Sequence, residues 1–208
     1  GKDSLALWGL LLDLGYHAEG LYIGLGIDGG FAYSDLSLEK IKGFMTTRPE
    51  ALLHTVDIAT TYGQSIAEVA ARKQRGRGKP CAVCGLIKRY VVNRVASEGD
   101  FDVLATGHNL DDEVAVLLGN TLHWQTGYLS RQAPVLEEQD GLARKVKPLC
   151  RLYEREVAAY AIVKGIDYIY EECPYAVGST TNQGARGCLG WQGQPGPLGT
   201  IVGSGLPC

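Results

Sequence analysis

Three groups of residues in this 208-residue chain are of types and spacings that do chemistry. The first is Gly1-Lys2-Asp3-Ser4, at the opening of an apolar, helix-periodic stretch. A helix N-terminus offers unpaired N–H groups and a partial positive charge, which together bind phosphate. Gly1 lets the backbone approach an anion, Lys2 adds charge, and the Ser4 hydroxyl can donate to a phosphate oxygen. Asp3 would repel phosphate unless it holds Mg²⁺ or caps the helix, and an ordinary Asp/Ser helix start is the plain alternative.

The second group is Ala105-Thr106-Gly107-His108-Asn109-Leu110-Asp111-Asp112, directly after an expected strand over Phe101–Ala105. It therefore belongs at the carboxyl end of the sheet, where ligands of open α/β folds bind. Gly107 permits close approach, one carboxylate could ligate Mg²⁺ on phosphates, and His108 could contact phosphate or a base. An N-cap followed by acidic first-turn residues is the competing reading.

The third group is thiol chemistry: Pro80-Cys81-Ala82-Val83-Cys84-Gly85 at a helix start, and Cys173-Pro174 at the end of the last expected strand. Thiols at a helix N-terminus are expected to have lowered pKa and to act as thiolates. A structural zinc wants four ligands and would draw on Cys150 or a His. A redox pair needs no third Cys, and an iron–sulfur cluster held by three thiolates leaves one iron open. Just before this motif stand Arg72, Lys73, Arg75, Arg77 and Lys79. Such a run is either a solvated loop or a strip for an RNA backbone.

The elements that must position these groups alternate. Leu5, Leu7, Trp8, Leu11, Leu12 and Leu14 carry helical period, with Gly15 as a stop. His17–Ile27 reads as a buried strand, Ser34 as the cap of a helix through Phe44, and Leu52–Ile58 as a second strand. Helices follow through Ile66–Ala70 and Cys84–Ala96, then over Asp111–Leu118 and Glu154–Val163, with a short last strand at Asp167–Tyr170. Strands separated by helices imply right-handed βαβ units, so the expected fold is α/β with a doubly wound, mostly parallel sheet.

Composition narrows the class. With 45% hydrophobic and 21% charged residues the chain has ordinary globular proportions. Its net charge of −3 supplies no global cationic field, so a nucleic-acid partner must meet a local patch. The longest apolar runs fall well short of the roughly 18 residues of a membrane span, and six Cys are too sparse for a disulfide scaffold. No signal peptide is visible, and the expected setting is cytoplasmic with no membrane partner. Both ends read as abnormal. No strand precedes the first helix, so the first strand of the sheet is expected to be missing. Residues 183–208 form a Gly-rich tail, with Gly at every third position from Gly184 to Gly199. That run is too short for a collagen helix, so a disordered or aberrant appendage is expected.

Assembled, the motifs resemble those of the PP-loop ATPase family of tRNA thiolases, specifically uridine 2-sulfurtransferases of the TtuA type. The resemblance covers roughly residues 1–182. It rests on Gly1-Lys2-Asp3-Ser4 as the remnant of a Ser-Gly-Gly-x-Asp-Ser loop and on Cys81-Ala82-Val83-Cys84-Gly85 followed by Lys88-Arg89-Tyr90. It rests equally on Thr106-Gly107-His108-Asn109-Leu110-Asp111-Asp112 and on Cys173-Pro174-Tyr175.

The resemblance implies a PP-loop adenine nucleotide-binding (HUP-like) catalytic domain over 1–182. ATP with Mg²⁺ would adenylate O2 of a tRNA uridine with loss of pyrophosphate, and sulfide would then displace AMP at C2. It implies Cys81, Cys84 and Cys173 as holders of a [4Fe–4S] cluster, with Cys81, Cys173 and Asp112 in the catalytic set. Gly1, Lys2, Asp3, Ser4, Gly24, Lys88, Gly107, His108 and Asp112 would make the nucleotide site. Arg72, Lys73, Arg75, Arg77 and Lys79 would meet the tRNA. It further implies a ubiquitin-like sulfur carrier and admits a homodimer. The chain departs from the family in lacking the leading Ser and Gly of the loop and intact zinc-binding Cys clusters at either end. The cytidine 2-thiolation branch carries a second Cys-x-x-Cys where this chain has Cys173-Pro174. A non-catalytic zinc-bound RNA-binding module and a PP-loop amidating ligase, which would have neither cluster nor RNA affinity, complete the alternatives.

Overall fold

The computed structural model describes residues 1–27, 30, 32–72, 80–129, 131–171, 173–175 and 200–203. The first helix, α1 (Lys2–Asp13), buries Leu5, Ala6, Leu7 and Trp8, and Gly15, at φ +83°, sits just beyond its end. That left-handed conformation costs Gly little, which is why the chain can turn there into a strand. Asp13 is an unfavourable charge for a helix C-terminus. The cations Arg48 and Lys164 converge on it and hold its carboxyl well below the usual range.

The strand β1 (Ala18–Gly24) pairs in parallel with β2 (Leu53–Asp57), from Gly20 opposite Leu53 to Gly24 opposite Asp57. Between them runs α2 (Tyr33–Thr46), and after β2 come the short α3 (Ile58–Tyr62) and α4 (Ile66–Arg72). Next come α5 (Pro80–Glu98), β3 (Val103–Thr106), α6 (Leu110–Leu122) and α7 (Thr126–Leu129). A two-residue hairpin pair, β4 (Val135–Leu136) and β5 (Lys145–Val146), precedes α8 (Glu154–Val163), and β6 (Thr200–Gly203) is last.

The sheet order is β2-β1-β6-β3-β5-β4. β1 and β2 are parallel, as are β3 and β5, while β6 is antiparallel to both β1 and β3. Four strands therefore share one direction, and β6 and β4 oppose it. Helices cover both faces, as the strand alternation requires. Gly20 faces α1: a Cβ there would lie 2.6 Å from Trp8 Cη2. The next residue, Leu21, packs on the opposite side with Val92 and Ala96 of α5. Likewise Ala105 joins the α1 side and Leu104 the α5 side. Trp8 is fixed by its Nε1–H, which donates to the Ala18 carbonyl at 2.8 Å, and by Phe44, 5.2 Å away between centroids.

Three expectations are corrected. Ser34 does not cap α2, whose N-cap is Ala32 in the left-handed region; instead Ser34 Oγ accepts from the Ile27 N–H at 3.0 Å and ties the end of the β1 segment to the helix. Asp167–Tyr170 is not a strand: Ile166 and Ile169 point into the core and Tyr168 stacks on Tyr170 at 4.5 Å. The Gly-rich tail, expected to be without order, supplies β6 to the middle of the sheet. The remaining tail residues, 183–199 and 204–208, lie outside the described residues.

Candidate functional site

Pro80 at the first position of α5 costs no helix hydrogen bond, since that N–H is unpaired anyway. It sets Cys81 and Cys84 in the first turn, and a spacing of three puts both on one helix face. The Cys173–Tyr175 segment comes to the same place. Cys81 Sγ donates to the Tyr175 carbonyl at 2.9 Å, and Cys84 and Cys173 pack against one core cluster with Ile169 and Tyr33. Cys84 lies near enough to both other thiols to feel their charge. The expected lowered pKa does not hold for Cys84: burial pushes its thiol up, and only Lys88, through its charge and a hydrogen bond, pulls it down. A helix N-terminus stabilises a thiolate only where desolvation is modest.

Among the described residues no three His, Cys, Asp or Glu side chains converge closely enough to hold a single metal ion. Cys84 and Cys173 border one apolar cluster, with Cys81 beside them on α5. That donor set, soft and lacking any hard oxygen, fits an iron–sulfur cluster in chemistry.

Lys88 lies one turn beyond Cys84 on α5 and lines an open cleft of about 470 Å³, mouth included, with Gly1 among its other walls. Tyr22, Ile23 and Leu25 form one side, and Tyr33, Ser34 and Ser37 the other. Tyr22 donates to the Ser34 carbonyl at 2.5 Å, and its burial pushes its hydroxyl up to about 12. Tyr33 reaches from the cleft toward the thiols, close enough that Cys173 and Cys84 add to the rise that burial gives its pKa. Ser37 Oγ is buried with no hydrogen-bond partner among the described residues. The cleft and the thiol group are thus neighbours joined by Lys88 and Tyr33.

The Thr106–Asp112 turn supports α1 from behind. A Cβ on Gly107 would lie 3.0 Å from the Asp3 carbonyl carbon and from the Ser4 nitrogen, so any larger residue would push the two backbones apart. Asn109 is the N-cap of α6: its Oδ1 accepts from the Asp112 N–H at 3.0 Å, and Asp112 Oδ2 accepts back from the Asn109 N–H. Asp112 therefore sits in a capping box. His108 Nδ1 pairs with Thr106 Oγ1 at 2.9 Å, and burial lowers its pKa, against the pull of Asp112 and Glu113. Neither His108 nor Asp112 lines the cleft that holds Gly1 and Lys88.

Two expected nucleotide residues have structural partners. Lys2 is bound by Asp3 at 2.6 Å and by Glu154, and does not line the cleft. A Cβ on Gly24 would fall 2.9 Å from Asp57 Oδ2, which gives that glycine a sheet-packing reason. Arg72 ends α4, while Lys73, Arg75, Arg77 and Lys79 lie outside the described residues. Glu154 and Tyr33 were not legible as site residues. An acidic first-turn residue and a helix-start Tyr carry no local signal of partners over a hundred positions away.

No family model matches the chain. It is 52% identical over 179 residues to a tRNA-5-methyluridine(54) 2-sulfurtransferase of Thermus thermophilus, covering 86% of this chain and 54% of the relative. A Pyrococcus horikoshii protein of the same name is 48% identical over 181 residues, covering 87% and 56% respectively. The chain is a homologue of the tRNA 2-sulfurtransferases. It spans about half the length of the curated relatives it matches. Its fold superposes with a TM-score of 0.74 and 25% identity on a U34-tRNA thiolase of Methanococcus maripaludis solved with its [4Fe-4S] cluster, over 90% of this chain and 61% of that one. No helix among the described residues is long and apolar enough to cross a membrane.

Proposed function

We propose that this chain is the ATP-using, sulfur-transferring part of a tRNA uridine 2-sulfurtransferase, and that residues 1–182 form its PP-loop (HUP-like) catalytic unit. The observation that carries the reading is the cleft between Gly1 and Lys88, placed one helical turn from Cys84 and bridged by Tyr33 toward Cys173. A nucleotide in that cleft would meet the N–H groups of α1 with its phosphates, where the helix favours negative charge. Lys88 would neutralise the phosphate nearest α5. Ser4 and Gly107 hold the α1 start against the Thr106–Asp112 turn; Asp112, which caps α6 outside the cleft lining, would have to leave that cap to help bind Mg²⁺ or assist catalysis. In the reaction, uridine O2 attacks the α-phosphate of ATP and pyrophosphate leaves. Sulfide then adds at C2 and AMP departs, so a poor leaving oxygen has become a good one. Cys81, Cys84 and Cys173 would hold the [4Fe–4S] cluster, which when bound supplies an open iron position for sulfide. Tyr33 and the apolar wall around the thiols keep water from that sulfur.

The remaining contacts belong to the same proposal. Arg72 to Lys79 would bind the tRNA backbone, a ubiquitin-like carrier would donate sulfur, the unit would work in the cytoplasm, and a homodimer is compatible with it. Uridine rather than cytidine is supported by the names of the relatives. The test is an anaerobic assay of the protein, reconstituted with iron and sulfide, on unmodified tRNA with MgATP. ATP-dependent 2-thiouridine detected by nucleoside mass spectrometry supports the reading. Thiocytidine, or thiolation that proceeds without ATP, contradicts it.

A further inference from the structure

Glu154 opens α8, and its carboxylate reaches two other helix starts. Oε1 takes the ammonium of Lys2, the first residue of α1. Oε2 takes Nδ2 of Asn109, the N-cap of α6, at 2.5 Å. The Glu154 N–H donates in turn to Asp111 Oδ2 at 2.6 Å, and the Leu110 N–H to the Leu152 carbonyl at 2.9 Å. Three helix N-termini are thus tied at one carboxylate. Asn109 is 0% exposed and both ends of its amide are used, Oδ1 by Asp112 and Nδ2 by Glu154. The Lys2 and Glu154 side chains are 11% and 15% exposed, so removing either leaves the other largely shielded from water, Lys2 with Asp3 and Glu154 with Asn109.

We infer that Glu154 is the positioning residue of the nucleotide-binding turn, and that Lys2 acts through Glu154 rather than by touching phosphate. The inference rests on the nucleotide reading above and deepens it. Lys2 Nζ donates to Asp3 and Glu154, and the cleft is lined by Gly1 and Lys88 but not by Lys2. The ammonium therefore points to α8, away from the space a ligand would fill. What Glu154 supplies is rigidity. It fixes the slope of α1 against the Gly107 turn, so that the α1 N–H groups already face the cleft before an anion arrives. Burial, with the Asp3 charge added, pushes its carboxyl above the ordinary range, while Lys2 and Asn109 pull it back.

The test is a double-mutant cycle on the full chain with Lys2→Met, Glu154→Gln and the pair, reading MgATP affinity by calorimetry and Tm in parallel. Gln keeps an acceptor for Asn109, whereas Glu154→Ala would strand a buried amide and risk unfolding. Each single variant is expected to weaken MgATP about tenfold, and the double variant no further than the weaker single, because both remove one shared contact. If Lys2→Met costs the same factor in both backgrounds, Lys2 works directly on phosphate and the inference is overturned. A Glu154→Gln protein with lowered Tm and unchanged MgATP affinity overturns it too, since Glu154 would then be merely structural. A wild-type protein that binds no MgATP overturns the nucleotide reading itself. The Lys2–Glu154 coupling is then read in Tm alone, where strictly additive losses would refute it.

Discussion

Lys88 stands one turn beyond Cys84 on α5, where its charge draws the thiol's pKa down against burial, and with Gly1 it lines the cleft. In the proposed reaction this one cation would serve two neighbours side by side, a polyanion and a sulfur. Replacing Lys88 by Met removes the charge and keeps most of the length. MgATP affinity is expected to fall tenfold or more, while adenosine, which carries no phosphate, binds as before. Titration calorimetry with both ligands checks this, and an equal loss for both would show that Lys88 only shapes the cleft.

Gly107→Ala places a methyl group 3.0 Å from backbone atoms of Asp3 and Ser4, which cannot swing aside as a flexible side chain would. The expected cost is about 1–3 kcal/mol of stability with weaker MgATP binding. Urea denaturation and calorimetry measure the two effects, and an alanine protein unchanged in both would disprove the close approach.

Gly20→Ala tests the other face of the same helix. Its Cβ would sit 2.6 Å from the Trp8 ring, and that ring is pinned by the Ala18 carbonyl and by Phe44. A loss of about 1–3 kcal/mol is expected in urea denaturation, and an alanine protein as stable as wild type would contradict the contact.

His108 gives the fold a pH dependence of defined sign. Burial lowers its pKa in the folded chain from 6.5, so between the two values the unfolded chain binds more protons. Its contribution to stability is complete above about pH 6.5 and is lost as the pH falls from there toward the lowered folded value. Glu154, raised by burial, works in the opposite direction at lower pH. Comparing Tm between pH 7.5 and 5 for wild type and His108→Gln isolates the histidine: the variant is expected to show the flatter curve, and parallel curves would contradict the assignment.

Much of this architecture is legible in the residues. The apolar period of Leu5 to Leu12, the helix from Cys84 and the strand before Thr106 all appear where local pattern places them, because each buries one stripe or face. Cys81 and Cys84 declare themselves by spacing. What pattern cannot give is long-range partnership. Thr200–Gly203 lies in a Gly-rich tail and looks structureless, yet the backbone groups of β1 and β3 give it a ladder on both sides. Asp167–Tyr170 has strand-like composition but finds no such ladder. Lys2 reads as a phosphate ligand until Glu154, 152 positions away, takes its ammonium.

The account stands most directly on the proposal that Cys81, Cys84 and Cys173 act as one ligand set. Iron and acid-labile sulfide should be counted on anaerobically purified protein, as wild type and as Cys84→Ala and Cys173→Ser. The prediction is about four iron and four sulfide per wild-type chain, with both variants losing most of them. One zinc and no iron in the wild type, or a full complement of iron in Cys173→Ser, would contradict it.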